Sequence, residues 1–595
     1  MVEAGESITQ GVVGEESKTT PSLKPIGRII GVYGRNLVRV SIEEEKLRFV
    51  ARPGAYLVLR GLDGSSLYGM VVGFNLIDEL YRRSRILEAI EGYEDIAPAR
   101  NEVLVSIVGY EKNGFIDRGV PSLPRPGDRV YYAPPSALKK LFSAKKGISI
   151  GRLSYDNGIE VKLDIDKLFT RHLAILAMTG SGKSNTLAVI IGEILKQYQY
   201  PRIILLDTHN EYVSLASSKD FKARVFSPSK DMAKIISDTH NIDVKPLEVP
   251  IWTLTIEELY SLLRLDTRAT KQRMYLRQAL RTIKQRYLKT VGVNDPIHYS
   301  VDELKNNIRA KDASADDLRL KIEELADNEE LSFITKPELW DKRFHEVKEE
   351  YASIYGDVGK AIVEASYKVY LEIASNLLEP GLTIIALGGL SSETQVVVAS
   401  MILRALWRLI VSQKLVGKTI PVVIGVEEAH VYAPIDRWNP AKEILEKISR
   451  EGRKFGVGLI VVSQRPRELS STLLAQCGNL IALRTVNPED QRHILSSVEE
   501  TSKELIDSLP SLGVGEALIS GPAITFPAVV KIHAFHERYG LELGGKDISF
   551  HREWSKKLEE IVITHPRIEL HEGRTTDTIV SGEKTRDRSL TDFFR

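Results

Sequence analysis

The chain has 595 residues, more than one hydrophobic core accommodates, so three or four structural units are expected. Its 43% hydrophobic and 27% charged content is that of a soluble globular protein, and 81 Lys plus Arg against 80 Asp plus Glu leave no global basic signature. Any nucleic-acid contact must then be a local patch or a ring built by assembly. A single Cys477 excludes an intrachain disulfide and a cysteine-rich zinc site, and it fits a reducing interior. No apolar run approaches the ~20 residues that span a bilayer, and the start MVEAGESITQGVVGEESKTT is polar and acidic rather than signal-like. A cytoplasmic protein with no membrane contact is expected.

In chain order, residues 1–24 carry little to bury and are expected to be disordered. From residue 25 to about 150, runs such as IGRIIGVYGRNLVRVSI, AYLVLRGL, YGMVVGFNL, EVLVSIVGY and DRVYYAP are short and β-rich, separated by Gly, Pro and Asp, which predicts a small β-barrel. It contains no catalytic grouping, so a scaffold or docking module with exposed strand edges is expected. Residues 151–254 then alternate strand and helix (HLAILAM, a helix from Ser184, RIILLDTH), the pattern of an α/β parallel sheet with active groups at the strands' carboxyl ends. Residues 255–380 are helical in period and highly charged, an inserted helical subdomain whose charge run reads as a solvated face. Sheet strands resume over 381–540 with GLTIIALGGL, IPVVIGVEEAH, VGLIVVSQRP, NLIALRT and GEALISG, and 541–595 is a polar arm.

The stretch LAILAMTGSGKSNTLAVII carries the chemistry. The phosphate-loop pattern G-x-x-x-x-G-K-[ST] is complete in its second half, Gly182, Lys183 and Ser184, while Ala177 stands at the first glycine. Gly180 and Gly182 can take positive φ and curl the loop amides into an anion nest, and the helix opening at Ser184 favours the same anion. Thr179, Gly180, Ser181, Gly182, Lys183, Ser184 and Asn185 are therefore assigned to ATP. A small residue with negative φ suffices at 177. In PVVIGVEEAH an apolar strand ends in two carboxylates. Glu427 is assigned to Mg²⁺ with Ser184, and Glu428 to the attacking water. Gln464, ending another strand, is placed to sense the γ-phosphate, and Asp207 to support the metal or water. Developing phosphoryl charge also needs a cation, often supplied in trans. Arg450 and Arg453 share a helical face in ISREGRKFG, with Arg453 the first choice, and Arg171 before the loop strand is a further candidate.

In order, RHLAILAMTGSGKSN, LLDTHNEY, a helical insertion, VIGVEEAH, EGRKFGVGLIVVSQRP, LRTVNPEDQRHIL and LPSLGVGEALISGPA resemble the HerA family of hexameric DNA translocases, allied to FtsK-type motors. The likeness runs over roughly residues 25 to 535, with Ala177 a departure from the family's glycine. It implies a RecA-like P-loop motor core, an N-terminal barrel of the HAS type and an inserted helical subdomain. It also implies a homohexamer with ATP between subunits, double-stranded DNA in the channel, and work with a NurA-type nuclease in resecting DNA ends for recombinational repair. The C-terminal arm would brace the adjacent subunit. Arg437 and Lys442 in YAPIDRWNPAK are candidates for a DNA-facing loop, contacting phosphates rather than bases. A ring ATPase that moves protein shares the ATP site, and a nucleotide-gated scaffold would not need Lys183 and Glu428.

Overall fold

The computed structural model describes residues 24–34, 36–50, 52–77, 100–498, 503–544 and 550–554. The segment expected to be disordered, apart from Lys24, and the expected arm, apart from 541–544 and 550–554, lie outside the described residues. The chain divides into two units, Met1–Gly545 and Lys546–Arg595. In the second, Phe550–Trp554 forms a short helix.

The first unit begins with seven strands: β1 (Pro25–Tyr33), β2 (Leu37–Ile42), β3 (Tyr56–Arg60), β4 (Ser66–Ile77), β5 (Arg100–Lys112), β6 (Phe115–Arg118) and β7 (Arg129–Tyr132). β2 illustrates why they are strands: Val38, Val40 and Ile42 are buried and alternate with half-exposed Leu37, Arg39 and Ser41, the period of two that a sheet with one wet face requires. The order β2-β1-β7-β3-β4-β5 is closed by β2 pairing with β5, Val38 opposite Val105 and Val40 opposite Val103. Closure removes the strand edges expected from sequence, because each strand of the ring has a partner on both sides. Among the described residues β6 alone pairs on one side only, with β5.

Twelve further strands form the second sheet: β8 (Gly147–Leu153), β9 (Asp156–Asp164), β10 (Leu173–Leu176), β11 (Arg202–Asp207), β12 (Ala223–Ser227), β13 (Val244–Pro246), β14 (Gly381–Ala386), β15 (Val422–Val426), β16 (Val457–Ser463), β17 (Asn479–Leu483), β18 (Glu516–Ser520) and β19 (Ala528–Ile532). Their order is β13-β12-β14-β11-β15-β16-β10-β17-β18-β19-β8-β9. The run from β13 to β17 is parallel, and from β17 to β9 the pairings are antiparallel. The parallel strands are buried on both faces, as continuous apolar runs such as LAIL and VGLIVVS require. The expected α/β fold, with a barrel ahead of a parallel P-loop sheet, is what the chain forms, and the barrel strands end at Tyr132 while β8 already belongs to the motor sheet.

One helix, α2 (Ser392–Leu415, with α1 being Lys183–Gln197 after the loop), is long and apolar enough by composition to cross a membrane, although no such run was expected from sequence. It packs instead as a core helix, with 83% of its apolar window buried. Between β13 and β14 the described residues are helical, from Ile256–Leu262 to Val358–Leu377. The insertion is pinned to α2 by the buried Glu258, which accepts from Arg404 Nη2 at 2.6 Å and Ser400 Oγ at 2.6 Å. The barrel rests on the β18–β19 hairpin: Arg118 donates to Ile524 O at 2.5 Å and Thr525 O at 3.0 Å, and Phe526 lies 5.6 Å from the Tyr68 ring. Gly109 is needed there, since a Cβ would fall 2.0 Å from Phe526 Cε1.

Candidate nucleotide site

The order β11-β15-β16-β10 brings the carboxyl ends of four neighbouring strands together, and each ends in a residue the sequence singled out. Asp207 closes β11, Glu427 and Glu428 follow β15, Gln464 follows β16, and the loop 177–182 follows β10. Gly180 and Gly182 have φ of 76° and 106°, the left-handed values a curled loop needs, and Gly182 caps α1. Ala177 is buried, has no positive φ, and donates its N–H to Ser463 O at 3.2 Å, so it continues β10 rather than shaping the loop.

Lys183 projects from the first turn of α1 onto the acid pair. Its Nζ is hydrogen-bonded to Glu428 Oε1 and lies 3.9 Å from Glu427 Oε1. Glu428 is 2% exposed and left-handed (φ 45°, ψ 47°), a strained conformation for a side-chain residue that aims its carboxylate back over the loop. Its second oxygen faces His430 Nδ1 at 3.2 Å, and that nitrogen is also 3.2 Å from Ser463 Oγ. Burial holds the His430 pKa below the usual imidazole value. Thr179 Oγ1 donates to Gln464 Oε1 at 2.8 Å, linking the phosphate loop to the end of β16.

Glu427 is fully buried, with one oxygen accepting from Thr208 N at 3.2 Å while Oε1 has no hydrogen-bond partner. Burial, and then the neighbouring Asp207 charge, push its pKa well above the carboxylate range. Asp207 rises to about 6 through burial, opposed by the backbone N–H groups of Tyr212 and Glu211. Those two bonds, 2.9 and 3.0 Å, occupy both Asp207 oxygens, so Asp207 shapes the 208–212 turn and offers no free oxygen to a metal. That turn presents Glu211, whose Oε2 accepts from Ser184 Oγ at 2.5 Å. Ser184, Glu211 and the unpartnered Glu427 Oε1 are the oxygens that fit a hard cation. Among the described residues no cluster of three or more His, Cys, Asp or Glu could hold a metal alone, which suits Mg²⁺, since it is held by one or two carboxylates together with substrate phosphates. Glu211 and His430 were missed by sequence reading, although both stand inside the quoted motifs, DTHNEY and EEAH.

The remaining candidates lie elsewhere. The Asn185 side chain is turned from the loop, donating to His533 O at 2.8 Å and accepting from Phe535 N at 2.8 Å, so only its backbone stays with the loop. Lys442 donates to Pro434 O at 2.6 Å and ties off the 434–437 loop rather than presenting a free charge, while Arg437 beside it is exposed. Arg171 and Arg453 are exposed at the amino ends of β10 and β16, the sheet edge opposite the phosphate loop, and neither reaches its own chain's loop. Arg450, on the same helix α3 (Pro440–Phe455), is 3.8 Å from Glu446. His172 joins these arginine-bearing segments. It is buried at φ 54°, its Nδ1 accepts from Leu459 N at 3.0 Å, and its Nε2 stands 3.0 Å from Ser449 O on α3.

Two family profiles match the chain, "Helicase HerA, central domain" over residues 148–406 and "Helicase HerA-like C-terminal" over 420–535. A probable helicase of Methanocaldococcus jannaschii is 32% identical, covering 88% of this chain and 94% of its own length. The DNA double-strand break repair helicase HerA of Pyrococcus furiosus is 31% identical over 86% of this chain and 93% of its own, and that of Sulfolobus acidocaldarius 29% identical over 90% and 98%. Among solved structures, VirB4 of Thermoanaerobacter pseudethanolicus matches 66% of this chain and 98% of its own at 17% identity, with a TM-score of 0.42. The chain belongs to the HerA family of helicases, enzymes of the P-loop ATPase kind.

Proposed function

We propose that this protein is an ATP-driven motor on double-stranded DNA, working as a homohexameric ring with ATP between subunits and serving DNA end resection in recombinational repair. The observation that carries the reading is the division of the ATPase machinery between opposite edges of one sheet. Loop, lysine and acids stand at the carboxyl edge, and the exposed Arg171 and Arg453 at the amino edge. Such a division completes a site only between copies, as a ring provides. The double-strand break repair helicases among its relatives support DNA as the track.

In the proposed cycle the loop amides of 180–182 cradle the phosphates and Lys183 exchanges Glu428 for the β- and γ-phosphate oxygens. Glu428, released from the lysine, accepts the proton of the attacking water as the new P–O bond forms and the bond to the bridging oxygen breaks. Gln464, bonded to Thr179, registers loss of the γ-phosphate. A neighbour's Arg453 or Arg171 meets the charge developing on the phosphoryl group. Ser184, Glu211 and Glu427 would hold Mg²⁺, which supplies charge neutralisation on the phosphates. ATP turnover with and without linear duplex DNA, run with mass measurement of the assembly, tests the reading. Turnover indifferent to DNA would reassign the motor to a protein cargo.

For the nuclease, the closed barrel leaves β6 as the candidate docking edge, with Phe115 65% exposed upon it. Deleting residues 1–150 would uncover Phe526 and cut into β8, so Phe115→Asp is the cleaner probe. Pull-down with the nuclease should lose binding while ATP turnover persists. Retained binding would move the docking surface off β6.

A further inference from the structure

The final residues, D-R-S-L-T-D-F-F-R (587–595), have no part in the ATPase machinery. They belong to the unit Lys546–Arg595, and the family profiles stop at residue 535. From His571 to Ser589 only Ile579 and Val580 are large and apolar, yet Leu590, Phe593 and Phe594 then follow within five residues. Their spacing is i, i+3, i+4, the spacing that gathers side chains on one face of a single helical turn and one that a strand, with its period of two, would split between faces. Ser589 and Asp592 add the S-x-x-D signature of a helix start, a hydroxyl ahead of the turn and a carboxylate three residues on. An apolar trio on one locally encoded turn, flanked by polar residues, is the form of a short segment that docks its anchors into a partner's apolar groove.

We propose that residues 587–595 dock this protein to a ring-shaped DNA sliding clamp. The chemistry such a clamp presents is an apolar pocket on its outer face that takes one aliphatic and two aromatic side chains from a single helical turn, the set supplied by Leu590, Phe593 and Phe594. Asp587, where such peptides commonly carry glutamine, lies three residues before Leu590 and so on the same face, with a carboxylate to accept a hydrogen bond at the pocket rim. The choice of a clamp rests on the reading of the protein as a motor on duplex DNA, since both rings would then share one track and tethering raises the motor's local concentration at the clamp.

Calorimetric titration of the full-length chain with the host's purified sliding clamp tests this, without DNA or nucleotide. The wild type should bind, Phe593→Tyr/Phe594→Tyr should retain binding, and Phe593→Ala/Phe594→Ala should lose at least about tenfold in affinity with unchanged ATP turnover. Absence of wild-type binding, or equal binding by the alanine variant, overturns the proposal. Dissociation of the alanine variant's own assembly also overturns it, by assigning the trio to a neighbouring copy. Duplex-stimulated ATP turnover on the same samples is scored separately, so failure of the DNA-motor reading is told apart from failure of the clamp proposal.

Discussion

Lys183 and Glu428 are directly hydrogen-bonded across the site, the phosphate-binding cation held against the carboxylate that activates water. Each group neutralises the other until a phosphate competes for the lysine, so ATP binding and release of the base are one event. Glu428→Gln should keep ATP binding and lower turnover by at least about 100-fold, because an amide cannot accept the water's proton. Lys183→Ala should weaken binding itself. Nucleotide titration alongside single-turnover hydrolysis distinguishes the two, and wild-type turnover by Glu428→Gln would remove Glu428 from the role of base.

Ser184 Oγ donates to Glu211, placing a carboxylate beside the hydroxyl expected at the metal. Glu211→Ala should raise the Mg²⁺ concentration needed for half-maximal turnover by about tenfold or more, the usual effect of losing a group that orients a metal ligand. Asp207→Asn should act differently, loosening the 208–212 turn whose backbone it holds. An unchanged Mg²⁺ requirement in Glu211→Ala would exclude Glu211 from the metal's surroundings.

Arg453 stands at the edge opposite its own phosphate loop, so its substitution should be complemented by a copy with a different defect. Arg453→Ala and Lys183→Ala preparations should each be inactive, and mixed rings should recover part of the turnover. Interfaces in which an intact loop meets an intact arginine account for the recovery. Native mass spectrometry verifies that mixed rings form. No recovery in verified mixed rings would return Arg453 to an ordinary surface role and leave Arg171 as the candidate.

Burial lowers the His172 pKa to about 4, and protonating Nδ1 would break its bond from Leu459 N. The unfolded chain, with His near 6.5, then binds more protons than the native state between those values. Stability from this residue is therefore full above about pH 6.5 and falls as pH drops toward 4, by up to roughly 3 kcal/mol. His172→Gln keeps a donor and an acceptor but does not titrate. Its unfolding midpoint should change less with pH across that window than the wild type's, and parallel curves would contradict the assignment.

The sequence by itself determined which chemistry the chain carries and on which elements. Gly182, Lys183 and Ser184 follow an apolar strand, and Glu427 and Glu428 follow another, because a phosphate loop and a strand-end acid are local devices written in consecutive residues. Only tertiary structure decided how they meet. Strand order set β10, β16, β15 and β11 side by side although 284 positions separate Thr179 and Gln464 in all but one, their |i−j| being 285. The same long-range pairing closed the barrel through β2 and β5 and so removed the edges that short strands alone had suggested. It also gave Asp207 two backbone N–H partners, turned Asn185 toward His533 and Phe535, tied Lys442 into its own loop, and brought Glu211 to Ser184. Hydrogen bonds between distant segments depend on where the backbone returns in space, and residue type and spacing along the chain do not encode that.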